Sequence, residues 1–249
     1  MRRFFVEKII PAGGFLSIIG KEARHIVTVL RMKKGETLIL MDREGQSFKA
    51  TIEAVHYKEV KVRITKTIPP LPPSPVKISL AQALVKSHPM EYLIKKVTEL
   101  GIGSIHPFYS ERTVIKLKPK HLKNKMDRWT EIIKSACKQC GRATLPTLNT
   151  PLPFEEIIKN VPNKKALKIL LWEDGDKVGL KKFLRSMNPE PHVFAIVGPE
   201  GGFTLNEINL AKDAGFQIIS LGNRILRAET AAVSLISIIQ YEWGDLNLE

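Results

Sequence analysis

Cysteine is almost missing from this 249-residue chain: it has 2, Cys137 and Cys140, in a single Cys-x-x-Cys pair. No second pair and no neighbouring histidine pair completes a zinc set. The pair lies in a helical pattern, WTEIIKSACKQCGR, and reads as two reduced helix cysteines of a cytoplasmic protein rather than a redox couple or half a metal site. Long apolar runs are missing as well, so no segment is long enough to span a membrane as a helix. The opening MRRFFV breaks into Glu7 and Lys8 before the apolar core of a signal peptide forms. Neither G-x-G-x-x-G nor a P-loop ending in Lys-Ser/Thr is present, which removes the usual phosphate-cradling patterns. No internal repeat is visible.

Positive charge, by contrast, is abundant: the formal net charge is +14. It is also unevenly spread. Residues 1–70 hold 14 Lys+Arg against 7 Asp+Glu, and residues 84–146 hold 13 against 5. Residues 147–249 reverse the balance, with 11 against 13. A polyanionic partner such as RNA or DNA accounts for that split, and a generically basic protein remains the plainer reading.

Residues 1 to about 68 read as β. Runs at 38–41, 46–54 and 60–64 have strand character, and KEARHIVTVLR reads as a short helix with Ala23, Ile26, Val27 and Leu30 on one face. Such a set suits a small barrel, a fold often used as an RNA platform. The proline-rich stretch 68–75 forces an extended spacer and marks a domain boundary. This gives a first domain over 1–70 and a second over 76–249. From there strand-like and helix-like runs alternate: strands at 77–84, 105–108, 167–172, 193–197 and 217–221, helices at 88–100, 120–140, 154–160, 180–186, 205–214 and 228–243. Alternation of this kind implies a largely parallel sheet covered by helices on both faces.

Two glycine-bearing loops in that second region each follow an apolar strand and precede a helix. The first, VGPEGGFT at 197–204, carries a carboxylate, Glu200, where a phosphate would have to sit, so a ligand without phosphate fits it better. Thr204 with Glu207 forms a capping box for the next helix. A tight turn with no ligand is the competing reading. The second loop, LGNRILRAETAA at 221–232, places Arg224 and Arg227 at a helix start, where the dipole disfavours cations unless an anion compensates. Glu229 or an RNA phosphate meets that need. The last helix carries small residues (Ala228, Ala231, Ala232, Ser234, Ser237), suited to intradomain packing or to a homodimer interface.

VGPEGGFT followed by LGNRILRAETAA resembles the C-terminal motifs of SPOUT-class RNA methyltransferases. HIVTVLRMKKGE, MEYLIKKVTELGI, PFYSERTVIKL and ACKQCGR extend the resemblance over nearly the whole chain. Within the class, the chain is similar to the bacterial family that methylates N3 of a uridine in the decoding region of 16S ribosomal RNA. The resemblance implies a PUA-like all-β barrel followed by an α/β domain whose parallel sheet ends in a trefoil knot. It implies a homodimer acting in the cytoplasm on 16S rRNA or the small ribosomal subunit. It also implies S-adenosylmethionine as cofactor, bound by Val197, Gly198, Pro199, Glu200, Gly201 and Gly202 in one loop and Leu221, Gly222, Ile225 and Leu226 in the other. Leu171 and Trp172 lie nearby; where family patterns often read Tyr-Glu, this chain reads Trp172-Glu173.

Uracil N3 holds a proton at neutral pH and cannot attack a methyl group until it loses it. Arg227, with Arg142, is the candidate for stabilising the resulting anion, while Glu229 orients Arg227 or takes the proton through water. A purely structural salt bridge is the alternative role for Glu229. Candidate RNA contacts are Arg2, Arg3, Arg24, Arg31 and Lys33, then Lys95, Lys96, Arg112, Lys123 and Arg142. Another SPOUT activity, on a ribose 2′-hydroxyl or a different base, and a non-catalytic ribosome-assembly factor are the alternatives. No metal is implied.

Overall fold

The computed structural model describes residues 1–7, 13–115, 117–161, 165–173 and 178–247. The chain divides into two compact units, Met1–Pro72 with Lys134–Leu145, and Pro73–Ile133 with Pro146–Glu249.

In the first unit, β1 (Arg3–Phe5), β2 (Phe15–Ile19), β3 (Thr37–Met41), β4 (Ser47–His56) and β5 (Glu59–Ile68) form one sheet in the order β1-β3-β4-β5-β2. β1 pairs with β3 in parallel, and the other pairs are antiparallel. Period-two burial sets the faces. On β5, Val60, Val62 and Ile64 point into a core with Phe4, Ile18, Leu38, Leu40 and Ile52, while Lys61 and Arg63 face out. The expected helix over the KEARHIVTVLR segment is broken in two. Helix α1 (Gly20–Arg24) runs into a π turn over His25–Val29. Ala23 and Ile26 reach the core fully, whereas Val27 and Leu30 pack against it only in part. Arg31 closes the segment with φ 50°.

The second unit is a parallel sheet. Its elements are β6 (Lys77–Ala83), α2 (Ser87–Glu99), β7 (Ser104–Tyr109), α3 (Pro119–Cys140), β8 (Thr147–Leu148), β9 (Leu152–Pro153) and α4 (Phe154–Lys159). They continue as β10 (Leu167–Leu171), α5 (Leu180–Arg185), β11 (His192–Val197), α6 (Leu205–Asp213), β12 (Gln217–Ile219) and α7 (Ala228–Trp243). The strand order is β12-β10-β11-β6-β7-β8, with β9 also on β7, and every pair is parallel. The expected alternation holds, and the C-terminal end of α3 groups with the first unit. One sheet face carries Ala81, Ala83, Phe108, Phe194 and Ile196 against Phe154 of α4 and Ile208 of α6. Burying such side chains stabilises the unit by about 1.5–3 kcal/mol each for the larger ones. β8 and β9 have two residues each, too short to leave a period in the sequence. Among the described residues no helix is long and apolar enough to cross a membrane.

Candidate active site

The two glycine loops leave the carboxyl ends of β11 and β12, next to the end of β10 between them. That is where open α/β sheets hold ligands. Together they enclose a cleft of about 540 Å³. The first loop contributes Val197, Gly198, Pro199, Glu200 and Gly202, and the second Leu221, Gly222, Arg224, Ile225 and Leu226. Leu171, Trp172 and Glu173 at the end of β10 complete one wall, and the first turn of α7 supplies Arg227, Ala228, Glu229 and Ala231. Gly201 does not line the cleft. Its carbonyl turns away and accepts a hydrogen bond from the Arg112 guanidinium at 3.1 Å.

Local sequence explains the first loop's shape. A Cβ on Gly198 would sit 2.9 Å from the Phe203 ring, and Phe203 is buried against Phe108 and Phe154. Gly202 adopts φ 68°, a left-handed torsion that glycine adopts without penalty. A Cβ there would meet Glu173 Oε1 at 2.8 Å. The loop stops at the capping box: Thr204 Oγ1 accepts from the Glu207 amide at 3.2 Å, and Glu207 Oε2 accepts from the Thr204 amide at 2.9 Å. Fully buried Glu207 also accepts from the Glu111 amide at 3.0 Å. That bond joins the end of the first glycine loop to the segment after β7. From β6, the Gln82 side-chain amide donates to the carbonyls of Val197 and Gly198 at 3.5 and 3.3 Å.

Arg227 is the N-cap residue of α7 and Glu229 lies in its first turn. Both line the cleft, but among the described residues no ion pair joins them. Arg142 belongs to the first unit and does not line this cleft. Within its own unit it lies close enough to Cys137 to oppose, weakly, the burial that pushes that thiol up to about 12. Both cysteines are free. No group of three or more His, Cys, Asp or Glu that could hold a metal ion occurs among the described residues.

The basic residues expected to meet RNA divide by environment. Arg24, Arg31, Lys33, Lys95 and Lys123 are exposed. Arg2 donates to the Leu30 carbonyl. Arg3 donates to the carbonyls of Lys138 and Gln139 at 3.3 Å, placing a cation at the negative end of α3. Lys96 pairs with Glu99 at 2.8 Å, which raises its pKa. Arg112 braces Gly201. Sequence reading missed Lys86 and Pro89 at the start of α2, and Glu173, Phe203 and Ser220, all of which line the cleft. The Lys86 amide donates to Glu200 Oε1 at 3.4 Å. Only topology brings residues 86 and 200 together, because β6 is the neighbour of β11.

An RNA methyltransferase domain family matches residues 72–240, and an RNA methyltransferase PUA domain family matches residues 18–65. Over 249 residues the chain is 30% identical to ribosomal RNA small subunit methyltransferase E of Bacillus subtilis, covering 97% of each. The Synechocystis protein of that name is 33% identical over 225 residues, covering 90% of this chain and 72% of the relative. The Neisseria gonorrhoeae ribosomal RNA small subunit methyltransferase E, solved bound to S-adenosylmethionine, superposes with a TM-score of 0.91 at 31% identity, covering 99% of this chain and 100% of that one. A Legionella pneumophila methyltransferase solved with the same cofactor gives 0.90 at 36% identity, over 98% of both chains.

Proposed function

This chain belongs to the ribosomal RNA small subunit methyltransferase E family, and from that premise we propose that it methylates N3 of one uridine in the decoding region of 16S rRNA, using S-adenosylmethionine. One observation carries the proposal: the two glycine loops, the end of β10 and the Arg227–Glu229 turn converge on a single cleft. Those residues fit the cofactor. Glycine at 198 and 202 lets the loop close on Phe203 and Glu173 and so shapes the cleft, the cleft volume lies in the range of small-molecule sites, and no phosphate-binding pattern is needed. Leu171, Trp172, residues 197–200 with Gly202, and Leu221, Gly222, Ile225 and Leu226 would hold it. When bound, it supplies an electrophilic methyl group. Gly201 acts indirectly in this scheme, through Arg112.

The chain's own task is to make N3 nucleophilic and to hold it in line. Uracil N3–H must lose its proton as the bond forms. Arg227 at the cleft wall stabilises the negative charge that develops on the base, and Glu229 receives the proton through water. Exposed Lys86 adds a second cation to the lining of the cleft. Arg142 is retained as a contributor to RNA binding and anion stabilisation from the first unit. A uridine reached on its pairing edge has to be unpaired or flipped out.

The finer architecture belongs to the same proposal: a PUA-like barrel over 1–70, a trefoil-knotted SPOUT domain over 76–249 and a homodimer in the cytoplasm. Along α7, Val233, Ser234, Ser237 and Ile238 are half-buried and Tyr241 is exposed, which supports a face that a second copy covers. The test is methyl transfer to deproteinised 16S rRNA and to small subunits lacking the modification, with the methylated nucleoside mapped. Arg227→Ala is expected to lose transfer while keeping RNA affinity; transfer near the wild-type rate would refute the assignment of Arg227.

A further inference from the structure

The sheet face that carries α4 and α6 changes character along its length. Toward the carboxyl ends of the strands it is apolar, through Ala81 and Ala83, Phe108 and Ile196. At the amino ends the same period-two positions become Lys77 and Ser79 on β6, Ser104 and His106 on β7, and His192 on β11. On three adjacent strands the amino-terminal positions of this face turn polar, with His192 opposite Lys77 and Ser79 opposite Ser104. There they line a second cavity of about 320 Å³, at the opposite ends of the strands from the methyl-donor cleft. Nothing in the proposed transfer reaction uses it.

The polar groups form a relay. Ser104 Oγ lies 2.8 Å from Ser79 Oγ and 2.8 Å from His106 Nε2. Ser104 has one proton to give. If it donates to Ser79, His106 Nε2 donates to Ser104 and the Ser79 proton is left for a ligand acceptor. If the chain runs the other way, Ser79 donates to Ser104, Ser104 to His106, and Ser79 accepts from a ligand donor. Either sense ends at Ser79, at the cavity wall. Beside the relay the His106 ring packs at 58° to Phe194, with centroids 5.4 Å apart, so an aromatic edge lines this part of the cavity. Burial depresses the His106 pKa to about 4, so the imidazole is neutral and either sense is open at neutral pH. At the rim stand Lys77 and His192, and no carboxylate lines the cavity among the described residues.

We propose that this cavity is a second ligand site, taking a nucleoside monophosphate unit with its heterocycle against His106 and Phe194, its polar edge on Ser79, and its phosphate at Lys77 and His192. The aromatic lining at His106 suits a base, the two-way relay suits a base edge, and the Lys77 ammonium at a rim without carboxylates suits phosphate. A free nucleotide and one nucleotide of a bound RNA share this chemistry.

The experiment follows the histidine ring signals of the full-length protein by NMR, with uridine 5′-monophosphate, uridine, inorganic phosphate and oligouridylate as probes. Uridine monophosphate is expected to shift the His106 and His192 signals while leaving the Trp172 indole in place. Lys77 is exposed, so Lys77→Glu keeps the fold, and it is expected to weaken that binding roughly tenfold, the loss of one charge-assisted contact. Ser79→Val is expected to weaken uridine and its monophosphate alike. Competition by oligouridylate identifies RNA as the source, and its failure to compete identifies a free nucleotide; both sustain the site. Ring signals unmoved by millimolar uridine monophosphate overturn the proposal. So do shifts of equal size in both variants, or shifts that inorganic phosphate alone reproduces.

Discussion

At the scale of single residues, the donor-side loop depends on what is missing from Gly198. Phe203 cannot retreat from an added methyl, because Phe108 and Phe154 hold it from behind. Gly198→Ala is therefore expected to strain the loop by about 1–3 kcal/mol and to weaken S-adenosylmethionine binding at least tenfold by calorimetry, with the fold retained. Arg227 and Glu229 act on the other reactant. Arg227→Ala is expected to slow methyl transfer by roughly 10²–10³, the effect of removing one stabiliser of developing negative charge. His106 makes a separate prediction about pH. Its folded-state pKa, about 4, lies below the ordinary 6.5. Between those values the unfolded chain holds a proton that the folded chain does not, so stability falls as pH drops through that window and levels off below it. Urea denaturation is expected to show a loss of roughly 2 kcal/mol from pH 7 to 4, and His106→Gln to flatten it.

At the scale of elements, the capping box is the joint between loop and helix. Thr204→Ala is expected to lower stability by about 1 kcal/mol. Glu207→Ala costs more, because the Glu111 and Thr204 amides lose their acceptor together. This joint was legible from Thr204 and Glu207 three residues apart. So was the β–α alternation from residue 77 onward, since each strand is a compact apolar run and each helix keeps its period. Other features left no local trace. β1, β8 and β9 are two or three residues long and exist only through distant partners. The π turn over His25–Val29 keeps the same apolar residues that an α-helix would use, so the sequence pattern does not separate the two. Lys86 and Gln82 reach the donor-side loop only because β6 lies beside β11, a neighbour relation written across more than a hundred residues. The second cavity was hidden for a similar reason: Ser79, Ser104 and His192 read singly as ordinary strand-start residues.

At the scale of the whole molecule, the charge map separates binding from chemistry. The basic excess lies in residues 1–70 and 84–146, while the segment holding both glycine loops is slightly acidic. RNA affinity is therefore expected to fall steeply with salt, and cofactor affinity hardly at all. Replacing exposed Lys95 and Lys123 together by alanine is expected to reduce the slope of log affinity against log salt by roughly 1–2, with cofactor binding unchanged. The most direct test of the central claim supplies labelled S-adenosylmethionine and small subunits lacking the modification, then identifies the methylated nucleoside by mass spectrometry. A single 3-methyluridine in the decoding region of 16S rRNA is expected, formed roughly 10²–10³-fold more slowly with Arg227→Ala. Label on a ribose 2′-oxygen, on another base, or on no nucleoside despite a bound cofactor would contradict it.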